Sequence, residues 1–127
     1  MTTIAVAVVR QHGHVLVGRR AADAIDAAGL DEFPGGKVEP DESPADAAAR
    51  ECLEEAGIAV RIDGLLDRTA SPATSGSLDI LFFAATPLDD REEPLVPFAW
   101  VPVAELASLR FPPANAGVLA RIAQGGS

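Results

Sequence analysis

A chain of 127 residues, 48% apolar and 23% charged, has the length and composition of one globular domain with a buried core, here expected to span residues 1–127. Its net charge of −9 sets it against bare nucleic acid and anionic membrane surfaces. Cys52 is the single cysteine, which excludes an internal disulfide and fits a reducing cytoplasm; with no basic region before residues 4–9 and no apolar run near a membrane span, neither leader nor span is expected.

Residues 2–9 are β-branched and apolar and predict a buried strand. Residues 11–14, with Gly13, predict a turn, and 15–18 a returning strand; His12 and His14 then belong to the surface of a hairpin. Residues 19–30 lack a clean apolar stripe and read as a loop. The run Glu32-Phe33-Pro34-Gly35-Gly36 is a tight, irregular approach to the next segment. Strands are predicted over 58–66, 78–85 and 98–101, separated by a Ser/Thr/Pro/Gly loop at 71–77 and an acidic loop at 87–94. A short helix opens at 102–106, and residues 114–124 read as a last helix with Val118, Leu119 and Ile122 on its apolar face. The order is mostly strands with one central and one C-terminal helix, an α/β pattern that suggests a mixed sheet between helices.

The central helix follows residue 43. Ser43 suits the N-cap, Pro44 the first helical position, Asp46 a side chain close to a capping box, and Gly57 a left-handed C-terminal cap. Ala45, Ala48, Ala49, Cys52, Leu53 and Ala56 follow the spacing of one buried face. Cys52 on that face reads as a small core residue. The polar side carries Glu51, Glu54 and Glu55, with Arg50 four residues before Glu54 and able to pair with it. Like charges one turn apart repel by a few tenths of a kcal/mol, about 0.2–0.5 per pair. A hard divalent cation turns that cost into a gain, because Mg2+ prefers carboxylate oxygens and leaves its other positions to water and phosphate. Residues 31–55 concentrate the imbalance, holding Asp31, Glu32, Glu39, Asp41, Glu42, Asp46, Glu51, Glu54 and Glu55 against Lys37 and Arg50. The charge therefore suits a small anion complexed with metal.

Gly36, Glu42, Arg50-Glu51, Glu54-Glu55, Gly57 and the apolar residues Cys52 and Ile58 fill every constrained position of the pattern G-x5-E-x7-R-E-U-x-E-E-x-G-U over residues 36–58. In this the chain resembles the Nudix hydrolases. Arg19-Arg20-Ala21-Ala22-Asp23, the run from Glu32 to Lys37, and Phe111-Pro112-Pro113-Ala114-Asn115 look like the MutT subgroup. The resemblance implies an α/β/α sandwich with a mixed sheet and a loop-helix-loop catalytic motif. It implies an enzyme: metal-dependent hydrolysis of a nucleoside triphosphate, with an oxidised purine the favoured base, to nucleoside monophosphate and pyrophosphate, as in nucleotide pool sanitation. Mg2+ is the expected cofactor, with Mn2+ able to substitute. Its ligands would be the Gly35 carbonyl, Glu51, Glu54 and Glu55, with Glu54 or Glu51 as general base and Glu42 and Arg50 as buttresses. Arg20 would touch phosphate or sugar, Glu32, Phe33, Pro34 and Gly35 would wall the nucleotide pocket, and Asn115 would bond the purine edge. The expected partner is a nucleotide with a diphosphate link, acted on by a monomer or weak homodimer. The sequence departs from the MutT pattern at three places: Ala99 stands where a carboxylate precedes Trp100, Ile25 where a histidine is expected, and the polar or basic residue that the pattern expects near Leu78 is absent. Glu92, Glu93 and Glu105 are candidates for the missing acid. Activity on CTP, ADP-ribose or dinucleoside polyphosphates, and nucleotide sensing without turnover, remain the alternatives.

Overall fold

The apolar run after Thr3 sits in β1 (Thr2–Gln11), which is buried on both faces in the computed structural model. The structure describes residues 2–19, 29–73 and 76–125. Strand periodicity divides β1 between two cores. Ala5, Ala7 and Val9 join Cys52, Ala56 and Ile58 on one side, while Val6 and Val8 join Val118 and Ile122 on the other. Each fully buried aliphatic side chain of such layers contributes about 1.5–3 kcal/mol.

Around β1 run β2 (His14–Arg19), β3 (Asp31–Glu32), β4 (Gly35–Lys37), β5 (Val60–Ala73), β6 (Gly76–Pro87) and β7 (Ala99–Pro102). The sheet order is β3-β2-β1-β6-β5, with β4 on β1 and β7 on β2. β1 and β6 pair in parallel from Thr2↔Leu78 to Val9↔Ala85. The remaining pairings are antiparallel, so the sheet is mixed as expected. Opposite β6, the edge of β1 is shared: β4 takes Ile4, Ala5 and Val6, and β2 takes Arg10 and Gln11. The chain between β3 and β4 is thereby drawn across the middle of the molecule, where the Ala7 N–H bonds the Pro34 carbonyl at 2.9 Å.

Helix α1 (Pro44–Ala56) covers one face and α2 (Ala116–Gly125) the other, giving an α/β/α sandwich. The face of α1 differs from the expected one. Ala47, Ala48, Cys52 and Ala56 are buried, whereas Leu53 is 53% exposed and Ala45 and Ala49 are half-buried. Alanines at the contact let the helix lie close to β1, which narrows the buried stripe and leaves Leu53 outside it. The β5–β6 hairpin is also longer than its composition suggests, with Ser71, Pro72 and Ala73 paired to β6. β5 is an edge strand, where proline's missing N–H costs no ladder bond, and Arg68 grips Asp79 across the pair at 2.9 and 2.7 Å. The short helix expected to open at 102–106 is a 3-10 helix, Val103–Ser108, and a 3-10 turn, Pro113–Asn115, precedes α2. Within α2, Val118 and Ile122 are fully buried and Leu119 partly so. The loop expected over 19–30 falls mostly outside the described residues. No helix among the described residues is long and apolar enough to cross a membrane.

Burial pushes the Cys52 thiol up to about 12, with the Glu55 charge adding to the effect. A neutral thiol with no exposed surface is a poor nucleophile. At pH 8 the folded protein should therefore leave an aromatic disulfide reagent unreacted while the denaturant-unfolded chain reacts fully. Rapid stoichiometric labelling of the folded protein would contradict this burial.

Candidate active site

The site is built on the polar side of α1 and the chain that approaches it. Ser43 caps the helix, its Oγ accepting the Asp46 N–H at 3.1 Å, and Pro44 occupies the first turn. At the other end Gly57 adopts φ 71°, and its N–H returns to the Leu53 carbonyl at 3.0 Å. Both caps are where the sequence puts them, so the helical phase of the acidic face is fixed.

Arg50 organises that face. Its Nη2 and Nε donate to Glu42 at 2.7 and 3.0 Å, its Nη1 to Glu51 at 3.0 Å and to Glu54 at 3.1 Å, and its Nη2 also to the Lys37 carbonyl at 3.2 Å. The rigid guanidinium fork suits such divergent acceptors better than a lysine ammonium. Glu42 completes the brace by accepting the Glu39 N–H at 3.0 Å. Hydrogen bonds from Arg50, then from the Glu39 N–H, hold the Glu42 carboxyl below the ordinary carboxylate range. Arg50 in turn is held more firmly charged, chiefly by Glu42. These contacts tie the loop before α1 to the middle of the helix.

The two glycines bring strand β4 against the acids. Gly35 donates its N–H to Glu55 at 2.9 Å. Gly36 lies so close to Glu51 that a Cβ there would run into the carboxylate. A cradle where the Glu51 carboxylate presses this closely on a glycine, with Glu54 and Glu55 on the same helix, offers the carboxylate oxygens that a hard divalent cation takes. Among the described residues, however, no three acidic, histidine or cysteine side chains converge to hold a metal. The reason is visible: Arg50 draws Glu51 and Glu54 toward itself, and Glu55 turns to the Gly35 N–H.

The other expected residues divide. Phe33 and Pro34 are buried beside β4, and Phe33 stacks on Phe111 with ring centroids 4.8 Å apart. Glu32 lies on β3, half-buried. Asn115 is half-buried at the end of the 3-10 turn, its N–H bonded to the Pro112 carbonyl at 3.0 Å, so it sits before α2 as part of a turn. Arg20 and Ile25 lie outside the described residues. Ala99, Glu92, Glu93 and Glu105 are all exposed. His12 forms the hairpin turn with Gly13, 3.5 Å from Asp90, and His14 opens β2 opposite Gln11. The β1 residues 6–11 separate Ala5, at the glycines, from His12, a span of about 20 Å that removes both histidines from the site. One residue was missed: Asp31 is buried, between Arg19 and the backbone of Arg110. Its partners are distant in sequence, and no local signal marks it.

The NUDIX domain family matches residues 1–122. The chain belongs to the Nudix family. It is 34% identical over 122 residues, 94% of both chains, to the 8-oxo-dGTP diphosphatase of Escherichia coli (strain K12). A shorter match, 48% identical over 58 residues, links it to the CTP pyrophosphohydrolase of the same organism, covering 46% of this chain and 42% of that one. Its fold also matches the crystal structure of a MutT protein from Methanosarcina mazei Go1, with a TM-score of 0.81 at 23% identity over 99% of this chain and 95% of the other. The Nudix signature thus rests on the α1 loop-helix-loop, and the chain is a pyrophosphohydrolase of that family, whose members generally use divalent metal cations.

Proposed function

We propose that this Nudix enzyme hydrolyses a purine nucleoside triphosphate, with 8-oxo-guanine the preferred base, to nucleoside monophosphate and pyrophosphate. The observation that carries the reading is the acid cradle of Gly35, Gly36, Glu51, Glu54 and Glu55 braced by Arg50 and Glu42, beside a stacked Phe33–Phe111 wall. Similarity along 94% of the chain to an 8-oxo-dGTP diphosphatase supports it. Mg2+, or Mn2+ in its place, would be held by Glu51, Glu54, Glu55 and the Gly35 carbonyl. A bound cation of this kind supplies charge neutralisation at the phosphate oxygens and lowers the pKa of water.

The chain's own groups do the rest. Glu54, half-exposed on the polar face, takes a proton from the attacking water, with Glu51 as the alternative base. Glu42 and Arg50 hold the helix and its loop in register. Arg20 contacts phosphate or sugar. Glu32, Phe33, Pro34 and Gly35 wall the nucleotide, and the Asn115 amide presents one donor and one acceptor to the base. Oxidised guanine carries an added N–H and carbonyl on its five-membered ring, so a fixed donor-acceptor pair discriminates it by what the wrong base leaves unpaired.

The CTP pyrophosphohydrolase match favours a second reading, CTP as substrate, because identity there reaches 48%. Catalytic efficiencies for 8-oxo-dGTP, dGTP and CTP in Mg2+, read as pyrophosphate release, decide between them. The expected order places 8-oxo-dGTP first, with Asn115→Ala weakening it chiefly through KM. CTP as best substrate would replace the purine reading. Binding without pyrophosphate release from any of the three would replace catalysis by sensing.

A further inference from the structure

Asp31 is the one buried acid among the described residues, 4% exposed. A carboxylate removed from water is costly unless it is both paired and hydrogen-bonded. Asp31 meets both conditions. Its Oδ1 accepts from Nε and Nη2 of Arg19, each at 3.3 Å. Its Oδ2 accepts the Arg110 N–H at 2.8 Å, and its own N–H donates to the Arg110 carbonyl at 2.9 Å. This exchange joins β3 to a segment 79 residues further along the chain. One residue on, Phe111 stacks against Phe33, two residues after Asp31. Pro112 and Pro113 then fix φ, and the Asn115 N–H closes the turn onto Pro112. From Asp31 to Asn115 every link is bonded, stacked or ring-locked.

We propose that Asp31 is a positioning residue for base selection. Its buried carboxylate locks residues 110–115 against the Phe33 wall and so sets the angle at which the Asn115 amide meets the ligand. The inference rests on the role given to Asn115 above. The Asp31 carboxylate is bonded to Arg19 and Arg110 and not to Glu42, Arg50 or the α1 acids, so its loss leaves the phosphate-handling helix as it was. Arg19 has a definite part: it neutralises the buried charge so that the backbone bond to Arg110 is retained.

Steady-state kinetics on the full chain with 8-oxo-dGTP and CTP test this, using Asp31→Ala, Asp31→Asn, Asn115→Ala and the double variant of the last two. Asp31→Ala should raise KM for the favoured base by about tenfold or more, as expected for a misplaced recognition group, with kcat within about threefold. Asp31→Asn keeps an oxygen for the Arg110 N–H and loses the attraction to Arg19, so its KM should rise by about three- to tenfold. The ratio of the two kcat/KM values should fall in step. In the double variant the losses in that ratio should not add, because both changes act on one contact. Asp31→Asn carries the test if the alanine variant does not fold. The proposal is overturned if Asp31→Asn stays within about twofold of wild type while Asn115→Ala abolishes the preference, if the losses add, or if kcat falls equally for both substrates. An Asn115→Ala variant with intact preference instead overturns the base-reading role itself, whatever Asp31 does.

Discussion

Glu54→Gln is expected to reduce kcat by about 10²–10⁴-fold while leaving the fold intact, the range supplied by a positioned general base. The side chain is 56% exposed, and Arg50 Nη1 donates to its two carboxylate oxygens at 3.1 and 3.4 Å. Glutamine keeps the shape and one acceptor oxygen for that guanidinium, so stability should move by about 0.5 kcal/mol or less. Arg50 itself remains anchored by Glu42, Glu51 and the Lys37 carbonyl, and the loop before α1 keeps its brace. What the change removes is a basic oxygen on the face between Glu51 and Glu55. Pyrophosphate release within about threefold of wild type would show that the proton goes elsewhere, with Glu51 the next residue to replace.

Local chemistry made α1 legible from the sequence. Ser43, Pro44 and Gly57 act within a turn of their own positions, and each is found where propensity places it. The Arg50–Glu54 pair follows from helical spacing, and the Glu42 brace from the same signature. The mixed sheet between helices was legible as a class, because the apolar runs of β1 and β6 need cover on both faces. Three features were not. Leu53 has the right period for the buried face, yet how closely an alanine-lined helix approaches a sheet is a tertiary fact. Ser71 and Pro72 have loop chemistry, and only the edge position of β5 makes that chemistry compatible with a strand. Asp31 reads as one more solvated acid, since the Arg110 N–H that holds it lies 79 residues away. The signature places three carboxylates on the helix without naming their hydrogen-bond donors. In the folded protein Arg50 takes two of them and the Gly35 N–H the third, an arrangement that depends on β4 lying beside the helix.

That closeness gives the second large expected effect. Gly36→Ala should fold normally and lose about 10–100-fold in metal affinity or activity, the range found when a ligand's supporting contact is removed. The three atoms nearest the new Cβ all belong to the Glu51 carboxylate, the far end of a flexible side chain that can rotate away. Gly36 lies in β4 without a positive φ, so alanine adds no backbone strain and trims unfolded-chain entropy by about 0.4–1 kcal/mol. Stability should therefore hold, while Glu51 is displaced from the position proposed for it as a metal ligand. The neighbouring glycine behaves differently. A Cβ at Gly35 would sit 2.7 Å from the Ala5 carbonyl and 2.9 Å from the Val6 Cα, and backbone of a central strand cannot give way. Gly35→Ala should separate β4 from β1 at a cost of about 1–3 kcal/mol, as overpacking does elsewhere. The same movement would break the Gly35 N–H bond to Glu55. Melting temperatures with and without millimolar Mg2+, taken beside pyrophosphate release, separate the two. Wild type should gain stability from the metal, because ligand binds only the folded state, and Gly36→Ala should start from the wild-type melting point yet gain little. A Gly36→Ala protein as destabilised as Gly35→Ala, or one with full metal response and full turnover, would mean that Glu51 does not act from the cradle this glycine leaves open.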